Sequence, residues 1–276
     1  MSPPRSPEGH GLHWFRQLTG QDGIVPGTVA TVRVADAPLR QESARFIAVV
    51  PDASNRFVRA RHGEVGLDEA WALAQQVRAT LAADRGKRPR AIVALVDVAS
   101  QAYGRSEELL GIHLACAAAA DAYASARLAG HPVIALLVGK AMSGAFLAHG
   151  YQANRILALD SPAVLVHAMS KEAAARVTRR PIEALQELGE RIVPMAYDVR
   201  AFAKLGLLYR LIEGVQAQAP DAGELERVRG ELADAIADTR AGPRDLSHRW
   251  RSEAPRGLRA ASIAVRRRLT EQWELP

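Results

Sequence analysis

The chain has 276 residues, of which 48% are hydrophobic and 24% charged, with a formal net charge of +6. This mixture excludes a disordered or fibrous chain and suffices for one large domain or two small ones. Residues 1–20 mix prolines and charges with His10 and His13, so neither a signal peptide nor a membrane span is expected there, and the expected location is cytoplasmic. A single cysteine, Cys116, excludes an internal disulfide; its small-residue surroundings read as a helix packing position rather than a nucleophile.

A net positive field attracts polyanions of every kind, so charge alone selects no partner. The basic residues are spread along the chain, with one denser group of Arg249, Arg251, Arg256, Arg259, Arg266, Arg267 and Arg268. Only 5% of residues are aromatic, and no stacking platform accompanies that group. A solvated helical face is the simpler reading, and neither nucleic acid nor a membrane is an expected partner.

In chain order, residues 1–27 read as an N-terminal arm. Residues 28–34 alternate apolar and polar side chains and residues 44–50 form a short apolar run, so two early strands are expected. Leu67, Ala70, Trp71, Ala74, Val77 and Leu81 recur at helical spacing, and Asp68 and Glu69 favour the positive end of the dipole; the pattern predicts a helix over 67–83. Residues 91–96 are continuously apolar and end at Asp97, as in a strand covered on both faces. A loop over 99–105 follows. Ser106 is a candidate N-cap, with Glu107 and Glu108 behind it, for one alanine-rich helix over 106–128 closed by Gly130. Residues 132–138 are a second buried strand, 143–151 a short helix, and 155–159 and 163–166 two more short strands.

Strands alternating with helices at this spacing imply an α/β fold with a largely parallel sheet and right-handed crossovers. Beyond residue 170 the chain reads as mostly helical, punctuated by Pro181, Pro194, Pro220 and Pro243. The expected plan is therefore an arm over 1–27, an α/β domain over 28–210, and a helical extension over 211–276, separate or part of the same domain.

Ligands of such sheets gather where strands end and helices begin. Two loops qualify, residues 97–105 and residues 139–145. Small residues at 141 and 143 to 145 let a ligand approach the main chain, and the first turn of the following helix has amides without intrahelical partners. Such amides can form an oxyanion hole, each donor typically contributing a factor of about 10² to 10³ in rate. The competing reading gives Gly144 a packing role only. His113, His149 and His167 stand alone and read first as core or surface residues. No histidine or cysteine cluster has ligand spacing, so no metal is expected.

The two loops together resemble the carboxyltransferase branch of the crotonase superfamily. Val96-Asp97-Val98 through Tyr103-Gly104 and Glu107-Glu108 is similar to the strand, turn and acidic helix of its first loop. Gly139-Lys140-Ala141-Met142-Ser143-Gly144-Ala145-Phe146 is similar to its glycine-rich second loop, and the tracts 154–172 and 197–207 also fit. Within that branch the resemblance is greatest to the gamma subunits of biotin-independent malonate decarboxylases. Ala99-Ser100 stands where the branch usually has Pro-Gly, and Met142 where many carboxyltransferases have glycine or tyrosine.

The resemblance implies a crotonase/ClpP-like fold of repeated ββα units with a helical C-terminal extension. It implies decarboxylation of a malonyl thioester to an acetyl thioester through an enolate, with Gly144 and Ala145 as the catalytic amides and Tyr103, Gly104 and Ser143 beside the substrate. No directly bound cofactor is implied; the thioester rides on a phosphopantetheine-type arm carried by a partner acyl carrier protein. Further implied partners are a homologous malonate decarboxylase beta subunit, completing the site, and an acyl carrier protein transferase subunit. An acidic carrier would suit the basic balance of this chain. Three alternatives stay open: a biotin-dependent carboxyltransferase subunit, a serine hydrolase using Ser143, and a non-enzymatic binding subunit. Ser143 lacks the Gly-x-Ser-x-Gly setting of a hydrolase and has a candidate role as helix N-cap.

Overall fold

A computed structural model describes residues 9–251 and 256–273. Helix α1 (Gly9–Thr19) precedes a hairpin of β1 (Val32–Leu39) and β2 (Glu42–Val49), and α2 (Leu67–Ala83) leads to β3 (Ala91–Val98). Two helices, α3 (Arg105–Leu109) and α4 (Ile112–Leu128), connect β3 to β4 (Val133–Met142), which runs straight into α5 (Ser143–Ala148). Then come β5 (Arg155–Leu159), β6 (Leu165–His167), α6 (Lys171–Thr178), α7 (Ile182–Arg191), α8 (Val199–Lys204) and β7 (Arg210–Ile212). Helices α9 (Ala222–Ala241), α10 (His248–Arg251) and α11 (Ala260–Trp273) complete the described chain.

The sheet runs β1-β2-β3-β4-β5-β7, with β6 paired to the far end of β4. β1 and β2 are antiparallel, and the pairings of β2 through β7 are parallel. Strands β3 and β5 are buried at every position, and β4 at all but Lys140, which accounts for their unbroken apolar runs. The first strand lies later than residues 28–34, because Asp36 and Pro38, residue types that are rare in strands, are accommodated in an edge strand. Pro38 has no N–H to donate, which an edge strand tolerates, and Asp36 pairs across the strand with Arg45 at 2.8 Å.

Three further differences bear on function. Residues 9–19, read as part of an arm, form a helix whose Trp14 and Phe15 are fully buried in the same core as the sheet, and Trp14 Nε1 donates to the Ala217 carbonyl at 2.8 Å. Helix α9 contributes Val228, Leu232, Ala235 and Ile236 to that core as well, so the C-terminal segment packs on the sheet up to α9. The single helix expected over 106–128 is broken, because Gly111 takes a left-handed φ of 82° and starts α4 afresh; Ser106 lies inside α3 rather than capping it.

Candidate active site

The loops after β3 and β4 meet around one carboxylate. Asp97, buried near the end of β3, accepts the Lys140 amide at 2.9 Å on Oδ1 and the amides of His10 and Gly11 at 2.9 and 3.4 Å on Oδ2. It thereby ties the start of α1 and the end of β4 to one point, with the negative charge at the positive end of α1. A Cβ at Gly139 would lie 2.1 Å from Asp97 Oδ1, so the glycine keeps the carboxylate in place. Much of the tract expected as a glycine-rich loop is strand: Lys140, Ala141 and Met142 pair with Leu165, Val166 and His167 of β6.

The turn from β4 into α5 is made at Ser143, whose φ is 57°. This left-handed backbone at a side-chain-bearing residue is strained, and the surrounding sheet holds it there. The N-cap position belongs to Met142 with no side-chain capping bond, so the N-cap role expected of Ser143 is corrected. The sharp turn puts Ser143 at the helix start and leaves the next amide free of an intrahelical partner.

That next amide, Gly144 N–H, donates to Gln101 Oε1 at 2.9 Å. A Cβ on Gly144 would lie 3.2 Å from the same oxygen, so the main chain approaches the carboxamide as closely as the missing side chain suggested. Ala145 is fully buried behind it. Two clefts open on either side of α5 and share Gly144, Leu147 and Tyr151. One, of about 380 Å³, is lined by Ser143, Phe146, His167 and Phe202 among others. The other, of about 530 Å³, is lined by Gln101, Glu108, His113 and Cys116 among others.

The structure thus brings Ser143 and Gly144 together at a cleft mouth, while Tyr103 and Gly104 line neither cleft. Tyr103 is exposed, and Gly104 is enclosed by Glu107 and Arg59, whose atoms would lie 2.5 and 2.6 Å from an added Cβ. The residue of the first loop that reaches Gly144 is Gln101, which sequence reasoning assigned no role. Its only signal was membership of the loop facing the second one.

The histidines separate by surroundings. His149 is fully enclosed, bonded to Tyr123 Oη and the Leu95 carbonyl at 3.0 Å each, and burial pulls its pKa down to about 4. It is a neutral core residue. His167 stacks on Tyr197 with centroids 3.9 Å apart, its Nδ1 lies 3.0 Å from the Met169 carbonyl, and burial lowers its pKa below 6.5. Near neutral pH it faces its cleft uncharged. Burial, with Glu108 nearby, pushes the Cys116 thiol up to about 11, so it is protonated and not a ready nucleophile.

Residues 60–273 match the family described as malonate decarboxylase gamma subunit. The chain belongs to that family. Solved Pseudomonas structures are similar over nearly the whole chain. A malonate decarboxylase hetero-tetramer in complex with coenzyme A superposes with a TM-score of 0.90 and 56% identity, covering 96% of this chain and 99% of that one. An MdcD-MdcE hetero-dimer superposes with a TM-score of 0.87 and 54% identity over the same shares. A curated relative from Malonomonas rubra, malonyl-S-ACP:biotin-protein carboxyltransferase MADD, is 36% identical over 226 residues, or 80% of this chain and 76% of its own length. The fold alone is shared with the transcarboxylase 12S core, at a TM-score of 0.63 and 18% identity over 86% of this chain and 43% of that one. The likeness to the transcarboxylase core is thus one of α/β fold, and the family itself is that of the malonate decarboxylase gamma subunits. No described helix is long and apolar enough to cross a membrane.

Proposed function

We propose that this gamma subunit, with its beta partner, decarboxylates malonyl-S-acyl carrier protein to acetyl-S-acyl carrier protein, the amides of Gly144 and Ala145 holding the enolate oxygen. The observation that carries this reading is the Gly144 N–H, set by the strained turn at Ser143 and already holding a carbonyl-type oxygen, at the junction of two clefts. The electrons of the breaking carbon–carboxylate bond move into the new C=C bond and onto the thioester oxygen as carbon dioxide leaves. Stabilising that oxygen and stripping water from the carboxylate lower the barrier without a strong base. A proton from water then gives the acetyl thioester. The clefts beside α5 suit a thioester on a long, thin phosphopantetheine-type arm delivered by a carrier protein, and a carrier transferase subunit would load that arm. Ser143, Tyr103 and Gly104 are assigned to the substrate side of the two loops, with Tyr103 and Gly104 on the rim toward the beta subunit. We place the assembly in the cytoplasm.

A second reading, transfer of the carboxyl group to biotin, is favoured by the description of the Malonomonas rubra relative, but the malonate decarboxylase chains are more similar to this one. The test is malonyl-thioester decarboxylation by the purified gamma–beta pair and by the gamma chain alone, with and without avidin. Turnover by the pair, none by the chain alone and no avidin effect are expected; inhibition by avidin selects the biotin reading, and full activity of the isolated chain rejects the shared site. Gly144→Val keeps the N–H but covers it with a branched side chain; it should leave assembly intact and lower turnover by about 10² or more, as for a well-placed oxyanion donor made inaccessible. Unchanged turnover removes Gly144 from the site.

A further inference from the structure

We propose that Gln101 is a built-in competitor of the substrate: its carboxamide oxygen occupies the Gly144 amide and must be displaced by the thioester oxygen, so Gln101 sets substrate affinity. The proposal rests on the enolate reading above. Gln101 Oε1 lies 2.9 Å from the Gly144 nitrogen, an ordinary hydrogen-bond length. A planar amide oxygen is a close chemical stand-in for a thioester carbonyl oxygen, because both are neutral sp² acceptors.

The main chain around Gln101 is pinned while the side chain has room to leave. Residues 65 and 101 form a parallel bridge, Ala102 N donates to the Val65 carbonyl at 2.8 Å, and Val65 N donates to the Ser100 carbonyl at 3.0 Å. Ser100 Oγ donates to the Gln101 carbonyl at 2.9 Å. The side chain borders the cleft of about 530 Å³ that it shares with Glu108 and His113, and three rotatable bonds suffice to swing the carboxamide into it.

The exchange of acceptors decides which kinetic constant changes. A ground-state thioester carbonyl replaces one neutral acceptor by another, so breaking the Gln101 contact weakens binding without a matching gain. The enolate oxygen carries charge and makes the stronger bond once the amide is vacated. Displacement is complete before the carbon–carbon bond breaks, so its cost burdens bound substrate and transition state equally, raising KM and leaving kcat alone.

The experiment compares Gln101→Ala, Gln101→Asn and Gln101→Glu with the unaltered chain, each in the gamma–beta complex. It measures kcat and KM with malonyl-pantetheine and Kd for acetyl-pantetheine, which cannot decarboxylate. For Gln101→Ala, KM and Kd are expected to fall roughly two- to tenfold, as for removal of one neutral hydrogen bond, with kcat changed by less than about twofold. Gln101→Asn, too short to reach the amide, should follow it. Gln101→Glu places a charged acceptor on the amide and should raise both constants, again with kcat changed by less than about twofold. A fall in kcat for Gln101→Ala would mean that the side chain touches the reacting thioester, and an unchanged or weaker Kd would reduce it to a structural tie; either result overturns the proposal. If Gln101→Ala tightens acetyl-pantetheine but the unaltered complex leaves malonyl-pantetheine intact, the competitor role stands and the decarboxylase reading falls. If the unaltered complex turns over malonyl-pantetheine and the variant shows no tightening, the decarboxylase reading stands and the competitor role falls.

Discussion

At the scale of single residues, His149 has the most direct consequence for solution behaviour. It caps the C-terminal end of α5, and its ring spans from Tyr123 Oη to the Leu95 carbonyl with no exposed surface. Burial disfavours the imidazolium, so the folded pKa of about 4 lies below the ordinary 6.5. The unfolded chain therefore binds the proton first, and the neutral ring's contribution, full above 6.5, is lost as pH falls toward 4. For one such group the linkage amounts to about 2 kcal/mol between pH 7 and pH 5. His248 is pulled down to about 4 by burial and by Arg155 and Arg249, so it titrates in the same window and a single melting curve does not separate the two. His149→Gln keeps a donor and an acceptor in place, and its loss of stability from pH 7 to pH 5, measured by urea unfolding, should be smaller than that of the unaltered chain by about that amount. Equal slopes would mean that the folded ring titrates as it does in the unfolded chain. The same scale separates legible from hidden site residues. Gly144 was legible because a glycine between small residues at a strand-to-helix junction has few reasons to be there other than close approach. Gln101 was hidden because a glutamine in a loop carries no pattern, and only the folded distance to Gly144 gives it meaning.

At the scale of elements, the central strands were legible because burial on both faces demands unbroken apolar runs, and α2 because its apolar spacing is helical. Helix α1 was not. Leu12, Trp14, Phe15 and Leu18 sit on helical spacing, but Gly9 and Gly11 flank His10 at its start, and glycine weakens a helix. What compensates is Asp97, 86 and 87 residues away, accepting the first amides of the helix. A long-range acceptor leaves no mark in the local sequence. The docking of this segment is equally long-range, since Trp14 is 0% exposed and bonds to Ala217. Trp14→Ala should therefore cost about 3–5 kcal/mol of unfolding free energy, as expected for a large aromatic removed from a packed core. Trp14→Phe keeps most of the volume and leaves the Ala217 carbonyl without its donor, for a cost of about 1–3 kcal/mol. Denaturation of both variants checks the ranking; a Trp14→Ala loss below that of Trp14→Phe would detach α1 from the core.

For the whole molecule, the chain leaves an apolar surface beside the clefts that its own fold does not cover. Leu109, Leu110 and Leu114 of the α3–α4 segment are 78%, 64% and 62% exposed, and Leu147 of α5 is 52% exposed while lining both clefts. A partner resting on these leucines would close the clefts against water and complete the wall opposite Gly144, the arrangement a shared site requires. The beta partner proposed above is therefore expected to dock here. Because Leu114 is mostly exposed, Leu114→Glu should change the stability of the isolated chain by no more than about 0.5 kcal/mol. Buried at a subunit interface without a partner, the same carboxylate should weaken gamma–beta association at least about tenfold. Val265 of α11 is 58% exposed on the row it shares with Leu269 and Trp273, so Val265→Glu serves as the control for a competing apolar face. Titration of labelled beta subunit into each variant reads both affinities directly. Loss of affinity in Leu114→Glu with unchanged affinity in Val265→Glu puts the interface over the clefts; the reverse would move it to the C-terminal helix and leave the proposed enolate site open to solvent in the dimer.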